Sequence, residues 1–597
     1  MKEPTGMGEM ALAADAHLLQ PLLNHARRTP ERTLLSTRSG SQFLPHTARE
    51  VAQTVRGLAR GLVALGIQPG QRVALMSRTR LEWVLLDFAI LMAGGVTVPI
   101  YDTSSAEQLE WILHDSEAVA VLLEHRGMHG LFQSVAERLP HCRQALVIDE
   151  GALEYLLRRG EEVDAARVDE RLAGLRADML ATLIYTSGTT GRSKGCMLSH
   201  GNLRTNVRQA LQHGEGMLRP EDRTLLFLPL AHSLAKILFL VALEQGTEVA
   251  FSSGISHLAE ELPLVRPDWM VAVPRVFEKM YHAAQRHARS AGREKAFSLA
   301  EELALRTSRE RSGGRVMLRT RALHGVFDRL VYRRLRAAFG GRLRFAVSGG
   351  GPLSERLTRF FDGMGVQVLE GYGLTETSPV LTLNVERAWR PGTVGRPLPG
   401  TALRIAEDGE ILVRGPQVFR GYWHNENATR EAFTEDGWLR TGDIGALDDD
   451  GFLRITGRKK ELLVTAAGKN VAPSPLEERL RTHPLVSQAV VVGDGLPFVA
   501  ALVTLDSEAL HDWAREHDKG GQSMDQLVDA PELRAEIQHA VEDANRPVSR
   551  AESIREFAIL PTDFTVERDE LTPSMKVKRN IVTQRYASVI SAMYAQR

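Results

Sequence analysis

Between Leu183 and Asn202 the chain reads LIYTSGTTGRSKGCMLSHGN. An apolar run ending at Tyr185 suits a strand, and a helix start is expected near Ser199. In between, Thr186, Ser187, Gly188, Thr189, Thr190 and Gly191 carry no bulky side chain, and Lys194 follows. Glycines let a backbone approach an anion, hydroxyls donate hydrogen bonds, and a lysine supplies a point charge. That is chemistry for holding a triphosphate. It is not the Walker loop, because Lys194 precedes Gly195 rather than following a glycine. Ser/Thr/Gly clusters are also ordinary loop composition, so this stretch alone leaves a plain turn open. Cys196, with no obvious base nearby in sequence, reads as a small apolar filler.

Five further stretches carry candidate chemistry. Leu225 to His232 (LLFLPLAH) reads as a strand ending in His232, an imidazole at a strand tip where α/β sites are built. Arg344–Val347 reads as a strand running into Ser348 and then Gly349, Gly350 and Gly351, against which a flat base can lie. Val366–Leu369 leads into EGYGLTETSP, that is Glu370, Gly371, Tyr372, Gly373, Leu374, Thr375 and Glu376. Tyr372 offers a stacking face, and Thr375 with Glu376 offers a hydroxyl and a hard carboxylate suited to Mg²⁺. In DGWLRTGDIG, Asp443 between glycines can accept from two neighbouring hydroxyls, as on a ribose, although acids in such turns are commonly turn formers. Near the end, LTPSMKVKRNI places Lys576 in a basic cluster with Lys578 and Arg579.

The elements that must position these groups alternate. Val51, Val55, Leu58, Leu62 and Leu65 recur at helical spacing, and Arg72–Met76, Ala118–Leu123 and Ala145–Ile148 read as strands. The longest apolar stretch, Trp83–Ile100, contains Asp87, Gly94, Gly95 and Pro99. A bilayer span needs about 20 apolar residues, so this is a buried helix followed by a short strand. Strands are expected again at Glu248–Phe251 and Trp269–Val273. Past residue 458 come strand-like Ala489–Val492, Phe498–Leu505 and Glu556–Leu560, a charged helical stretch and a terminal helix. The alternation argues for α/β layers: a large N-terminal unit, 1–457, and a small α+β unit, 458–597.

The chain has 597 residues, 43% apolar and 25% charged, with 74 Lys+Arg against 74 Asp+Glu. No global field points to nucleic acid. Two cysteines exclude a disulfide scaffold and suit a reducing cytoplasm, and the start lacks the basic-then-apolar order of a signal peptide. Residues 275–336 stand apart, with sixteen Lys/Arg against six acids. Rich in Ala, Leu and Arg, they should be helical. The excess is either a set of solvated helix faces or a surface for anions, meaning coenzyme A phosphates or anionic lipid at the inner face of a membrane.

YTSGTTGRSKG, SGGGPLS, EGYGLTE, RTGDIG with TGRKKE, and TPSMKVKR stand in one order from Tyr185 to Arg579. In sequence and order they resemble the signatures of the AMP-forming adenylate-forming family, which includes acyl-CoA synthetases, luciferases and peptide-synthetase adenylation domains. LPLAH, the basic insertion, GRKKE and VTAAGKNVAPSPLE most resemble bacterial, and especially mycobacterial, long-chain fatty-acid–CoA ligases. The resemblance implies a large adenylate-forming domain of layered α/β subdomains and a small mobile domain. It implies that a fatty acid and ATP give acyl-AMP and pyrophosphate, after which coenzyme A displaces AMP. Thr186 and Glu376 would hold Mg²⁺. Ser187, Gly188, Thr189, Thr190 and Lys194 would cradle the leaving phosphates. Gly349–Gly351 and Glu370–Leu374 would form the adenine slot, with Thr375 beside it, and Asp443 and Arg458 would bind the ribose. His232 would line the carboxylate pocket, Lys459 would be the pivot of the small domain, and Lys576 would bridge the reacting carboxylate and the ribose–phosphate oxygen. Three positions depart from the pattern. Ser193 replaces a proline, Met575 replaces the glycine before the lysine, and Ala467 replaces the first glycine of a pair before the pantetheine tunnel, with Gly468 kept. The alternative is a fatty-acyl-AMP ligase that hands its acyl group to a carrier protein. Such enzymes carry an added segment restraining the small domain, and none is evident between Asp443 and Glu477.

Overall fold

The computed structural model describes residues 12–186, 192–466, 469–572 and 575–595. Its first large sheet has six strands in the order Gln144–Val147, Ala120–Leu123, Arg72–Met76, Val96–Ile100, Leu180–Thr186 and Lys194–Ser199. The first five are parallel, and Ala120–Leu123 and Val96–Ile100 are buried along their whole length. That is what near-continuous apolar strands predict, because helices cover both faces. The apolar stretch after Trp83 is a buried helix, Leu81–Met92, followed by the Val96 strand. Asp87, within it, is buried and accepts from Lys236 at 2.9 Å. Among the described residues no helix is long and apolar enough to cross a membrane.

A second sheet runs Trp269–Ala272, Phe345–Ser348, Gln367–Gly373, Val380–Leu383 and Arg396–Pro397, the first three parallel. Their carboxyl ends release residues 273–274, 349–351 and 374–376 at one edge, where open α/β sheets bind ligands. A third sheet joins Gln42–Thr47, Thr33–Ser39, Glu248–Phe251 and Arg223–Leu226. An antiparallel sheet, Ala402–Ile405, Glu410–Arg414, Leu439–Leu447 and Leu453–Arg458, brings Asp443 opposite Arg458. One apolar core runs through these layers. A separate core, including Leu476, Leu480, Val491, Val503, Trp513 and Ile537, organises the C-terminal sheet Val486–Val492, Val499–Leu505 and Ile554–Ile559.

One expected element differs. The strand expected to end in His232 is Arg223–Leu226 and stops earlier. Pro229 has no N–H to continue a ladder. His232 instead caps helix Ser233–Gln245, its Nδ1 accepting from the Leu234 N–H at 3.1 Å.

The basic segment is helical as expected: Pro274–Ser290, Glu294–Ser312 and Leu318–Phe327, then a π turn Asp328–Tyr332 and helix Arg333–Ala338. Its first helix spends charge on the C-terminal domain. Arg275 donates to Ser487 at 2.7 Å, Arg286 pairs with Glu508 at 2.7 Å, and Arg289 lies 3.4 Å from Glu516. In return Arg481 lies 3.9 Å from Glu278.

Candidate active site

Lys194–Ser199 folds back on Leu180–Thr186, setting Lys194 directly opposite Thr186. Residues 421–423 run beside this hairpin: the Met197 N–H donates to Gly421 at 3.1 Å and the Trp423 N–H to Gly195 at 2.8 Å. That delivers Tyr422 to the site. Lys194 Nζ lies 5.2 Å from the Tyr422 ring centre, a cation–π distance. The Tyr422 hydroxyl donates to Glu376 Oε1 at 2.8 Å. Glu376 occupies a single turn, Thr375–Thr377, just after strand Gln367–Gly373. The turn is pinned because Thr377 Oγ1 accepts the Leu374 N–H at 3.0 Å and the Phe419 N–H reaches the Glu376 carbonyl at 2.8 Å. Cys196 lies beneath, fully buried, 3.8 Å from Thr186 Oγ1. Burial and the Glu376 charge push its thiol well above the usual range, which suits a filler and not a nucleophile.

Among the described residues no cluster of three or more His, Cys, Asp or Glu stands ready to cage a metal. Mg²⁺ seldom needs one, since it is usually held by one or two carboxylates together with substrate phosphates and water. Glu376 keeps one carboxylate oxygen outside the Tyr422 bond and lines the same cleft as Thr186. One carboxylate and one hydroxyl therefore fit this ion.

A second group of cleft residues is also held by hydrogen bonds. The Tyr372 hydroxyl donates to Asp443 Oδ2 at 2.7 Å, and Arg458 Nε reaches Asp443 Oδ1 at 3.0 Å. Thr375 and Ser233 hydroxyls lie 3.2 Å apart. Gly350 holds φ +84°, a turn that glycine takes without strain. Gly373 has a different reason: a Cβ there would fall 1.8 Å from the Pro379 carbonyl oxygen. Gly349, Gly351, Gly371 and Leu374 line the same cleft. Glu370 lines it too and accepts from the Thr358 hydroxyl at 3.3 Å. Burial, reinforced by Glu478 of the C-terminal domain, pushes its carboxyl up to about 8.

His232 and Lys576 complete the constellation, from different domains. Burial, then the Lys576 charge, lowers the imidazole to about 4, so it is neutral at pH 7. Because Nδ1 accepts the Leu234 N–H, the proton sits on Nε2, which is left as a donor. Lys576 projects into the cleft, lining with His232, Gly350 and Val273 one small recess of it. The cleft walls and then the Arg458 guanidinium lower its ammonium to about 8. It is carried by a tight turn in which the Thr572 N–H donates to the Lys576 carbonyl and the Met575 N–H to that of Thr572, both at 2.7 Å. Met575 holds φ +64°, a conformation in which glycine is the unstrained residue. Lys578, by contrast, is engaged with Asp569, and Arg579 donates to Glu477 at 2.6 Å. Lys459 is tied to Asp408 at 2.6 Å and Glu410 at 2.9 Å.

All these groups face one cleft of about 2840 Å³. Beyond His232 it continues into an apolar arm between helix Ser233–Gln245 and the second sheet, lined by Leu211, Met217, Ile237, Leu238, Val241, Trp269, Val271 and Phe345. Trp269 and Phe345 stack there at 6.3 Å. Ser187, Gly188, Thr189, Thr190, Ala467 and Gly468 lie outside the described residues. Tyr422 was not singled out from the sequence. It joins the site through pairing between positions more than 200 apart, and the only local sign is an aromatic pair following Gly421.

Comparison with known proteins agrees with this arrangement. Residues 22–423 match the AMP-binding enzyme family model, and residues 460–597 match that of the AMP-binding enzyme C-terminal domain. The chain belongs to the AMP-binding enzyme family. Within it, the chain is 50% identical over 577 residues to the long-chain-fatty-acid–CoA ligase FadD15 of Mycobacterium bovis, covering 96% of each. It is 31% identical to the peroxisomal long chain acyl-CoA synthetase 7 of Arabidopsis thaliana, covering 92% of this chain and 81% of that one. Among solved structures, the adenylation domain of a Mycobacterium chelonae carboxylate reductase superposes with a TM-score of 0.77 at 23% identity, covering 98% of this chain and 92% of that one. The anthranilate CoA ligase AuaEII, solved with anthranoyl-AMP, gives 0.73 at 21%, covering 97% and 99%. At these identities the superpositions speak for the fold.

Proposed function

We propose that this enzyme is an AMP-forming long-chain fatty-acid–CoA ligase, joining a fatty acid to coenzyme A at the expense of ATP. The observation that carries the reading is the meeting of His232 and Lys576 at the head of an apolar arm, in a cleft that also holds Glu376, Asp443 and Arg458. The acyl chain lies in the arm, and its carboxylate accepts from His232 Nε2–H and from the Lys576 ammonium. One carboxylate oxygen attacks the α-phosphorus of ATP and pyrophosphate leaves, so a poor anionic electrophile becomes an acyl-AMP with a good leaving group. The thiol of coenzyme A then forms the C–S bond and AMP departs. Little covalent work falls to the protein. Positioning and charge neutralisation carry the rate.

In this reading Lys194 and the loop 187–191 hold the leaving phosphates, Thr186 and Glu376 take Mg²⁺, which supplies further neutralisation there, and Tyr422 orients Glu376. Tyr372 and Gly349–Gly351 flank the base, while Asp443 and Arg458 take the ribose. The domain boundary lies at 457/458, and Lys459 is the pivot about which 458–597 turns between the two steps. Peripheral contact with anionic membrane through the basic segment belongs to the same proposal.

Mass spectrometry after incubation with ATP, Mg²⁺, palmitate and coenzyme A tests it. Palmitoyl-CoA is expected. Palmitoyl-AMP alone would turn the reading into that of a fatty-acyl-AMP ligase, and neither product would overturn it.

A further inference from the structure

The second half of the basic segment is anchored by one face. The Thr320 hydroxyl donates to Glu310 at 3.0 Å, His324 Nε2 lies 2.8 Å from the Gly363 carbonyl, and the Tyr332 hydroxyl reaches the Ala300 carbonyl at 2.6 Å. The opposite face of an ordinary surface helix is polar. Here it is not. Leu318, Ala322, Val326 and Leu330 recur every four residues along it, and the three large side chains are 85%, 52% and 60% exposed. Met317, just before the helix, is exposed as well.

Arg315, Arg319, Arg329, Arg333 and Arg334 flank this stripe, all exposed. The ion pairs in this part of the segment are Arg306–Glu310, Arg311–Asp362 and Arg336–Asp328. The five flanking arginines have no ion-pair partner among the described residues. A single exposed leucine needs no explanation. A row of them between unpaired cations is the pattern of a helix lying in a membrane interface, apolar side chains at the acyl boundary and guanidinium groups on phosphates. Coenzyme A phosphates would use the cations and leave the leucines in water.

We propose that the face from Met317 to Arg334 docks on an anionic lipid bilayer. This rests on the reading of the enzyme as one that takes long-chain acids, which partition into bilayers. The charge of the stripe selects the anionic surface, and its leucines enter it.

Vesicle sedimentation of the full chain tests this, with phosphatidylcholine alone or mixed with phosphatidylglycerol. Binding is expected only to the anionic vesicles, and should weaken as salt rises past about 0.15 M, where the Debye length is about 8 Å. Two variants should each lower binding tenfold or more: Leu318→Ser with Val326→Ser and Leu330→Ser, and Arg319, Arg329, Arg333 and Arg334 all →Gln. Both should keep thioester formation from a medium-chain acid in free solution, which reports an intact fold independently of any membrane. Equal binding to neutral and anionic vesicles would overturn the proposal. So would variants that bind like the parent, self-association abolished by the serine variant without vesicle binding, or displacement of vesicles by free coenzyme A. Loss of the soluble reaction in the parent with vesicle binding intact would instead fault the ligase reading alone.

Discussion

The two sides of the cleft are built differently. On the large-domain side three groups are braced from within: Glu376 by Tyr422, Asp443 by Tyr372, and His232 by its own helix N-terminus. On the small-domain side Arg458 reaches Asp443 from the domain boundary, and Lys576 is presented on a turn that passes through a left-handed methionine. The braced side can hold nucleotide in any position of the small domain. In the proposed mechanism the lysine serves only when that domain closes. Binding and chemistry are thereby divided between two bodies, and variants on the two sides should fail differently.

The largest effect is expected at Lys576. In the proposed mechanism its ammonium meets the developing charge only in the adenylation step, and one such preorganised charge is worth on the order of 10²–10³ in rate. Lys576→Ala should lose acyl-AMP formation by that factor, yet convert supplied acyl-AMP and coenzyme A to thioester. Lys578→Ala should keep most activity, since that lysine is spent on Asp569. Because the Lys576 ammonium is lowered to about 8, it loses its charge as pH rises through that value. The kcat/KM for adenylation, which reports the free enzyme, should fall above pH 8, and the thioester step should not follow it. Parallel pH profiles for both steps, or normal adenylation by Lys576→Ala, would remove the lysine from the chemistry.

How much of this was legible beforehand depends on range. Strands Arg72–Met76 and Glu248–Phe251 stand where apolar runs between turn residues place them, and the motif residues Thr186, Glu376 and Asp443 line one cleft. Local pattern suffices there, because each residue rides on the element it terminates or follows. His232 was misread as a strand tip, since an apolar run does not say where a ladder stops. Tyr422 and the docking of helix Pro274–Ser290 were not legible at all. Both depend on residues brought together from distant positions, and the sixteen cations of 275–336 look alike until their partners are seen. The structure divides them: Arg275, Arg286 and Arg289 face the small domain, while Arg329, Arg333 and Arg334 face outward.

The braced side gives the next largest effect. Tyr422→Phe removes the donor that orients Glu376. A hydrogen bond to a charged group is worth about 1.5–3 kcal/mol, so adenylation should slow at least about tenfold, with a higher Mg²⁺ requirement. The thioester step from supplied acyl-AMP should be spared. Should that step slow equally, Tyr422 supports the fold and not the carboxylate.

Met575 sharpens the comparison from the small-domain side. Its side chain meets the recess lined by Leu234, Val273 and His232, so it helps closure. Its backbone stores strain of about 1–2 kcal/mol, the usual cost of a left-handed L-residue. Met575→Ala loses the contact and keeps the strain. Met575→Gly loses both. Adenylation should fall about fivefold in each, but thermal stability should rise only in the glycine variant. Identical melting temperatures would mean that the turn relaxes without glycine.

The smallest effect tests whether closure has its own electrostatic contribution. Arg286–Glu508 and Arg289–Glu516 lie at the surface between the two bodies. Exposed pairs of this kind are worth about 0.2–1 kcal/mol, which translates to a few-fold at most in the closed population. Arg286→Glu places two carboxylates together and should slow adenylation two- to fivefold, least at high salt, where the repulsion is screened. Glu508→Arg should do the same by the opposite charge. Since each change alone creates repulsion and both together restore attraction, the double exchange should recover most of the lost rate. Such recovery cannot come from damage to either helix separately. If the double variant is as slow as the product of the two single effects, the pair does not steer closure. The difference between the two sides of the cleft would then rest on Lys576 and its turn.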